Sequence, residues 1–325
     1  MGLHWPPMVE KVVLASPRGY CAGVERAVET VERALELYGA PVYVRKQIVH
    51  NVHVVRELEE RGAVFVEDEN DVPEGAKVVF SAHGVAPSVF ANAAARQLQT
   101  IDATCPLVAK VHVQARRYAA AGYTVVLIGH AGHEEVVGTM GEAPERIVLV
   151  ETIDDVAALP FTDEDRLAYV TQTTLSVDET ADVIAALRAR FPSIHAPKKE
   201  DICYATSNRQ WAVKEMLDEV DFLLVVGSVN SSNSNRLVET AVSGGVPSRL
   251  IEDAGEIDER WFAGVTVVGL TSGASAPERL VADVCEWFRA RGVADIEPHG
   301  LVEEDVEFRL PAEHRRELAL ASAQN

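Results

Sequence analysis

The chain has 325 residues, a hydrophobic content of 47% and a formal net charge of −20, which excludes a disordered protein and suits two or three structural units. Because contacts to nucleic-acid phosphates need a basic surface, this acidic balance argues against a nucleic-acid-binding protein. No stretch approaches the roughly 20 apolar residues of a membrane span, and no signal peptide opens the chain, so we expect a cytoplasmic protein without a membrane partner.

Apolar strand-like runs alternate with amphipathic helical patterns along the whole chain. The predicted strands are KVVLAS (11–16), PVYVRKQIV (41–49), AVFVE (63–67), AKVVFSAHG (76–84), YTVVLIGH (123–130), RIVLVE (146–151), LAYVTQ (167–172), DFLLVVGS (221–228), RLIED (249–253) and VTVVGLTSG (265–273). The predicted helices are VERAVETVERALELYG (24–39), LVAKVHVQARRYAAAG (107–122), VDETADVIAALRARF (177–191), SNRQWAVKEMLDEV (207–220) and APERLVADVCEWFRARG (276–292). Such alternation is typical of an α/β fold with mostly parallel sheets.

Each third of the chain repeats one plan, in which a cysteine precedes a helix and two polar clusters then follow apolar strands. The matching sets are Cys21, His50 and His83; Cys105, His133 and Thr173; and Cys203, Ser231 and Ser275. Ligands of α/β sheets bind beyond the carboxyl ends of the strands. Three pseudo-symmetric units around one axis are therefore expected to bring three cysteines and six polar loops to one centre.

Three separated cysteines favour an iron–sulfur cluster with one open iron over a structural zinc site, which usually shows paired CxxC spacing. Helix N-termini favour thiolates there. Arg26, Lys110 and Arg209 follow these cysteines by five or six residues and either offset cluster charge or are solvated or salt-bridged. The fourth cysteine, Cys285, lies in an apolar helix and is expected to pack in the core.

The polar loops combine His, Ser, Thr and Asn with many glycines, as in GSVNSSNSNRL and LTSGASAPE. Such donors suit a phosphate or diphosphate without lysines, although NSSNSN by itself is ordinarily a turn with a helix cap. In GHEEVVGT, His133 and Glu135 directly follow a strand, and a carboxylic acid there can deliver protons.

These motifs make the chain resemble the 4-hydroxy-3-methylbut-2-enyl diphosphate reductase family, over residues 11 to about 300. The matching motifs are SPRGYCAGV, IVHN, FSAHGV, DATCPLV, IGHAGHEE, TQTTLS, DICYATSNRQ, SSNSNRL and GASAP. Glu134 stands where many family members carry proline, and about ten N-terminal residues extend beyond the usual start.

The resemblance implies a trefoil of three α/β units around one [4Fe–4S] cluster per chain. It implies Cys21, Cys105 and Cys203 as cluster ligands, and Glu135, Thr173 and His133 as catalytic residues, with Glu135 relaying protons. The residues implied to bind the substrate diphosphate or hydroxyl are His50, His83, His133, Thr173, Ser231, Ser232, Asn233 and Ser275.

The implied reaction is a reductive dehydroxylation of 4-hydroxy-3-methylbut-2-enyl diphosphate, an allylic diphosphate. Two electrons and two protons enter, water leaves, and isopentenyl and dimethylallyl diphosphate form. Ferredoxin or flavodoxin would donate the electrons. The expected units span residues 11–105, 106–200 and 201–300, followed by a tail over 301–325; the first strand of the first unit is a candidate to pack with the third unit.

Two other function classes share part of this pattern. An iron–sulfur hydro-lyase also uses three cysteines and an open iron, but it has no net redox change and needs no reductant. An iron–sulfur sensor or RNA-binding regulator is disfavoured by the negative charge and the absence of a basic, aromatic stripe. For the electron carrier, usually acidic itself, the local basic pairs Arg45–Lys46 and Lys198–Lys199 are the candidate docking sites.

Overall fold

Twelve strands and eleven α-helices alternate along the residues that the computed structural model describes, which are 9–300 and 302–322. The strands are β1 Lys11–Ala15, β2 Val42–Arg45, β3 Ala63–Val66, β4 Lys77–Phe80, β5 Gln99–Asp102, β6 Thr124–Ile128, β7 Ile147–Val150, β8 Leu167–Thr171, β9 Phe222–Val226, β10 Ser248–Ile251, β11 Val267–Ser272 and β12 Asp295–His299. The helices are α1 Ala22–Tyr38, α2 Val52–Glu60, α3 Pro87–Ala95, α4 Pro106–Ala120, α5 Glu134–Met140, α6 Ile153–Ala158, α7 Val177–Arg190, α8 Tyr204–Met216, α9 Ser232–Ser243, α10 Glu278–Arg289 and α11 Ala312–Ser322.

The first compact unit comprises the described residues up to 21, together with 50–52 and 204–306. It contains one parallel five-stranded sheet in the order β10-β9-β11-β1-β12. The N-terminal strand β1 thus lies between β11 and β12, and its residue Lys11 pairs with Val267 and with Asp295.

Alternating side chains of this sheet form two cores. Phe222 and Leu224 of β9 pack in a cluster with Val284 and Phe288 of α10. The intervening residues of β9 belong to a second cluster that includes α8 and α9. Cys285 lies in the α10 cluster, 5% exposed, and burial raises the pKa of its thiol, which confirms the expectation of core packing.

The second compact unit comprises residues 22–49, 53–203 and the described residues from 307 onward. It contains a four-stranded sheet, β3-β2-β4-β5, and a three-stranded sheet, β7-β6-β8, and all their strand pairs are parallel. The predicted α/β class with three parallel sheets is therefore confirmed. The unit boundaries expected from the sequence and the arrangement as a trefoil stay predictions.

Local chemistry explains where the structure departs from the predicted elements. The predicted strand over 41–49 ends at Arg45, since Lys46 adopts a left-handed conformation with φ of 59°. The structure adds helices that the sequence did not predict, among them α2, α3, α5 and α9. The N-terminal extension falls mostly outside the described residues. No helix of the described part is both long and apolar enough to cross a membrane.

Candidate functional site

The three candidate cluster ligands share one local setting. Cys21 directly precedes α1, Cys105 is the N-cap of α4, and Cys203 directly precedes α8. All three are half-buried, and none of the four described cysteines forms a disulfide. Backbone N–H groups at a helix start favour a thiolate, so this donor set fits a thiolate-bound cluster. Within the described residues, no three His, Cys, Asp or Glu side chains are grouped as ligands of a single metal ion.

In the first unit, Ala274 joins two of the predicted site residues. Its carbonyl accepts a hydrogen bond from the backbone N–H of Cys21 at 3.3 Å, and its N–H donates to Oδ1 of Asn233 at 2.9 Å. The amide nitrogen of Asn233 donates to Oγ1 of Thr206 at 3.3 Å. Asn233 is 5% exposed, so these bonds fix its amide in one orientation.

The other predicted residues of the first unit lie in the same network. Oγ of Ser275 donates to the carbonyl of His50 at 2.9 Å, and the Asn230 amide lies 3.4 Å from Nδ1 of His50. Ser231 is the N-cap of α9 and accepts from Ser234 N–H, while Ser232 is the first, half-buried residue of that helix. The predicted residues of this unit therefore gather around the start of α9 and the segment after β11.

In the second unit, Glu135 and Thr173 are directly bonded. The N–H of Thr173 donates to Oε1 of Glu135 at 2.6 Å, and its hydroxyl donates to Oε2 at 3.0 Å. The carbonyl of Thr173 in turn accepts from the N–H of Cys203 at 3.0 Å. Thr173 thus connects the predicted proton donor Glu135 to the backbone of the predicted cluster ligand Cys203.

Burial gives Glu135 an unusual acidity. Glu135 is only 2% exposed, and this burial raises the pKa of its carboxyl to about 7. The two hydrogen bonds from Thr173 act in the opposite direction and lower the pKa. The negative charge of Asp201 adds a smaller upward shift. A carboxyl with this pKa can both hold and release a proton at neutral pH, as a general acid must.

The two predicted histidines of the second unit lie beside each other. Their rings meet edge to face, with centroids 6.0 Å apart for His83 and His133. Burial lowers the pKa of His83 to about 4, so its ring is neutral at pH 7. Nδ1 of His133 accepts from the N–H of Glu135 at 3.2 Å, which leaves its Nε2 to carry the proton and donate it to an anion.

Two further contacts complete this group. Oε2 of Glu134, the residue that replaces proline, lies 3.3 Å from Nδ1 of His83. The N–H of Cys105 donates to the carbonyl of Ala82, the neighbour of His83, at 2.9 Å. Ring contacts, hydrogen bonds and adjacent backbone therefore connect the six predicted site residues of the second unit, which are His83, Cys105, His133, Glu135, Thr173 and Cys203.

Sequence reasoning did not single out two residues that contact the predicted site residues. Thr206 is bonded to Asn233, and the Asn230 amide lies 3.4 Å from Nδ1 of His50. Asn230 belonged to a polar run after a strand, which was a usable signal. Thr206 lies within the helix α8, where one buried threonine gives no sequence signal.

Comparisons with known proteins agree with this arrangement. The family model described as LytB protein matches residues 12–289. A relative from Acidothermus cellulolyticus, named 4-hydroxy-3-methylbut-2-enyl diphosphate reductase, is 59% identical, covering 96% of this chain and 93% of its own. A relative of the same name from Mycobacterium ulcerans is 58% identical, covering 95% of this chain and 93% of its own.

A solved structure also resembles the chain over nearly its full length. It is the E-1-hydroxy-2-methyl-but-2-enyl-4-diphosphate reductase from Plasmodium falciparum, with a TM-score of 0.91, 38% identity, and coverage of 97% of this chain and 99% of that one. The family model matches most of the chain, and the relatives are more than half identical to it over nearly their full length. The chain belongs to the LytB protein family.

Proposed function

We propose that this chain reduces 4-hydroxy-3-methylbut-2-enyl diphosphate, removing its allylic hydroxyl as water and forming isopentenyl and dimethylallyl diphosphate. The relatives that it matches bear the name of this reductase. The observation that carries the proposal is Glu135, a buried carboxyl with a pKa of about 7 held by two hydrogen bonds from Thr173. Loss of a hydroxyl as water needs such an acid, because hydroxide is a poor leaving group.

Cys21, Cys105 and Cys203 are the proposed ligands of one [4Fe–4S] cluster. Their support is the thiol chemistry of the donors, their partial burial and their position before three helices. A cluster with three protein ligands supplies electrons and an iron that can bind a substrate oxygen. The Thr173 hydroxyl and the Glu135 carboxyl are proposed to hold the substrate hydroxyl and to give it a proton.

The diphosphate is proposed to be bound by neutral donors, since the chain carries a net charge of −20. These donors are His50, His83, His133, Ser231, Ser232, Asn233 and Ser275. Hydrogen bonds from buried hydroxyl, amide and imidazole groups hold an anion without the long-range field that a basic surface provides. The fixed orientation of the Asn233 amide supports this role.

The electron donor is proposed to be an acidic ferredoxin or flavodoxin that docks at Lys198 and Lys199. Both lysines are exposed. The alternative pair is neutralised, because Arg45 binds Glu69 at 2.7 Å and Lys46 binds Glu67. Charge reversal at both lysines should slow ferredoxin-driven turnover and flatten its salt dependence, while dithionite-driven turnover stays unchanged. Reversal at Arg45 and Lys46 is the matched control, and an equal effect there would contradict this docking site.

The decisive experiment measures iron, sulfide and reductant dependence together. The chain is purified without oxygen, reconstituted, and compared with its Cys105→Ser variant. About four irons and four sulfides per chain, depleted or made labile by the substitution, are expected. Turnover of the allylic diphosphate should then require a reductant. Iron binding with turnover in the absence of reductant would favour the hydro-lyase, and no stable iron would contradict both enzymes.

A further inference from the structure

The side chains of the three basic residues that follow the cysteines bind backbone carbonyls just before another of the three cysteines. We infer that Arg26, Lys110 and Arg209 are positioning residues, each of which fixes the backbone that leads into the next cysteine along the chain, with Arg209 acting on the first. This inference rests on the proposed cluster, because it concerns how the ligand-bearing turns are held. Each contact lies within one compact unit.

Arg26 holds the approach to Cys105. Its Nη1 donates to the carbonyls of Ala103 and Thr104, both at 2.9 Å, and its Nε donates to the carbonyl of Arg309 at 2.8 Å. Arg26 is 9% exposed, and Ala103 and Thr104 are buried as well. A buried guanidinium that donates to several carbonyls makes strong, charge-assisted bonds in a rigid geometry.

Lys110 holds the approach to Cys203 in the same way. Its Nζ donates to the carbonyl of Glu200 at 2.9 Å and lies 3.0 Å from Oδ1 of Asp201. Asp201 is 4% exposed, and its other oxygen accepts from the N–H of Thr171. The ammonium group therefore ties the segment before Cys203 to α4, the helix that begins after Cys105.

Arg209 closes the order by holding the approach to Cys21. Its Nη2 donates to the carbonyl of Gly19 at 2.8 Å and to that of Tyr20 at 3.3 Å. Glu304 binds its Nη1 at 3.1 Å, and the Arg209 side chain is fully buried. Arg26 and Arg209 are both buried, so neither side chain is solvated.

The three contacts repeat one rule at equivalent positions. A cation five or six residues after one cysteine binds carbonyls that lie one to four residues before the next. Loss of Arg26 or Arg209 leaves buried carbonyls without their donor, and loss of Lys110 leaves the buried Asp201 carboxylate without its cation, so the turn that they belong to opens more often. The effect should fall on the next cysteine, which a simple charge-offset role would not predict.

The test follows the alkylation of each thiol in the full-length chain before reconstitution, by mass spectrometry with isotope-labelled iodoacetamide. Arg26→Gln should expose Cys105, Lys110→Gln should expose Cys203, and Arg209→Gln should expose Cys21, each several-fold over the wild type. The buried core residue Cys285 reports general opening of its own unit. Arg33→Gln is the matched control, since Arg33 is exposed on α1 and binds only residues of that helix in the described structure.

The outcomes separate the alternatives. A cation beside a cysteine favours its thiolate, the form that iodoacetamide alkylates, so slower alkylation of the cysteine that precedes the substituted residue, with no rise at the next cysteine, would support charge offset and overturn the inference. An equal rise at all thiols would overturn it in favour of a general loss of stability. Where a glutamine variant fails to fold, Arg26→Lys, Arg209→Lys and Lys110→Arg replace it and should expose the same cysteine to a smaller extent. After reconstitution, iron release to a chelator should be roughly 10- to 100-fold faster in the glutamine variants. A wild-type chain that binds no iron contradicts the proposed function but leaves the alkylation pattern to test the inference.

Discussion

Replacement of Glu135 by glutamine should make the chain more stable and nearly inactive. Glutamine has the same shape as the protonated carboxyl. It can accept from the Thr173 N–H and donate to the Thr173 hydroxyl oxygen, so both contacts of Glu135 have a counterpart. It cannot give up a proton, and loss of a positioned general acid costs roughly 10²–10⁴-fold in rate.

The gain in stability can be worked out from the pKa. Burial raises the pKa of Glu135 from 4.5 to about 7. Because the carboxyl pKa is raised in the folded chain, ionisation of Glu135 opposes folding. The neutral form's contribution to the free energy of unfolding is complete below pH 4.5 and is lost as the pH rises through 7. Glutamine never ionises. It should therefore raise the free energy of unfolding by about 1 kcal/mol at pH 5 and about 3 kcal/mol at pH 8.

Urea unfolding of the metal-free chain at pH 5 and pH 8 measures this difference. Glu142→Gln is a control of opposite sign: burial acts upward on the Glu142 pKa, but hydrogen bonds from His112 and Arg116 outweigh it and lower the pKa. That variant should be less stable than the wild type by nearly the same amount at pH 5 and pH 8, because both values lie above the lowered pKa of Glu142 and its ordinary value of 4.5. A Glu135→Gln gain that is the same at both pH values, or a loss at both, would refute a raised pKa. Turnover near the wild-type rate would refute the proton role.

Three further predictions concern Thr173, the buried pair His83 and Glu135, and Cys285. Thr173→Val should raise the Glu135 pKa further, because it removes the hydrogen bond from the Thr173 hydroxyl that lowers this pKa. The descending limb of the kcat/KM pH profile should then move to higher pH. A limb that does not move would contradict this, and Thr173→Ser, which keeps the hydroxyl, is the control. The chain should take up roughly half a proton or more when it binds pyrophosphate at pH 7, since a nearby anion raises the pKa of His83 and Glu135. Calorimetry in buffers of different ionisation enthalpy measures this proton uptake. Zero uptake would argue against binding beside these two groups. Cys285→Ala should cost about 1 kcal/mol of stability and keep all the iron, because its thiol packs in the α10 core, and iron loss would contradict that role.

The sequence was most informative where the physical cause is local. Helical periodicity and apolar runs depend on near neighbours, so α1, α4, α7 and α10 and ten of the strands were predicted close to their observed ranges. The position of each cysteine before a helix could be predicted for the same reason. Strands β5 and β12 were missed. Strand β12 has the sequence DIEPH, and an edge strand paired only with β1 in the described sheet can be polar and contain proline.

Tertiary contacts explain the other misses. Helix α5 has seven residues and contains Gly138, which looks like a loop in sequence. A Cβ at Gly138 would lie 3.0 Å from Cε1 of His112 and would force the imidazole to shift, which favours glycine there despite its low helix propensity. Three of the carbonyl partners of Arg26 are 76 to 78 residues away and a fourth, that of Arg309, is 283 residues away. They are bound through backbone atoms, which any residue type can provide, so the sequence does not reveal them.

The charge of the chain and the chemistry of the second unit fit together. At neutral pH the buried His83 is uncharged and Glu135 is close to half protonated, so these two side chains together carry less than one full negative charge. An anionic ligand beside them favours the protonated form of both groups, by the same Coulomb interaction that raises the pKa of one carboxyl next to another. In the proposed reaction, binding and protonation therefore reinforce each other, because the charge of the substrate helps to retain on Glu135 the proton that the departing hydroxyl needs.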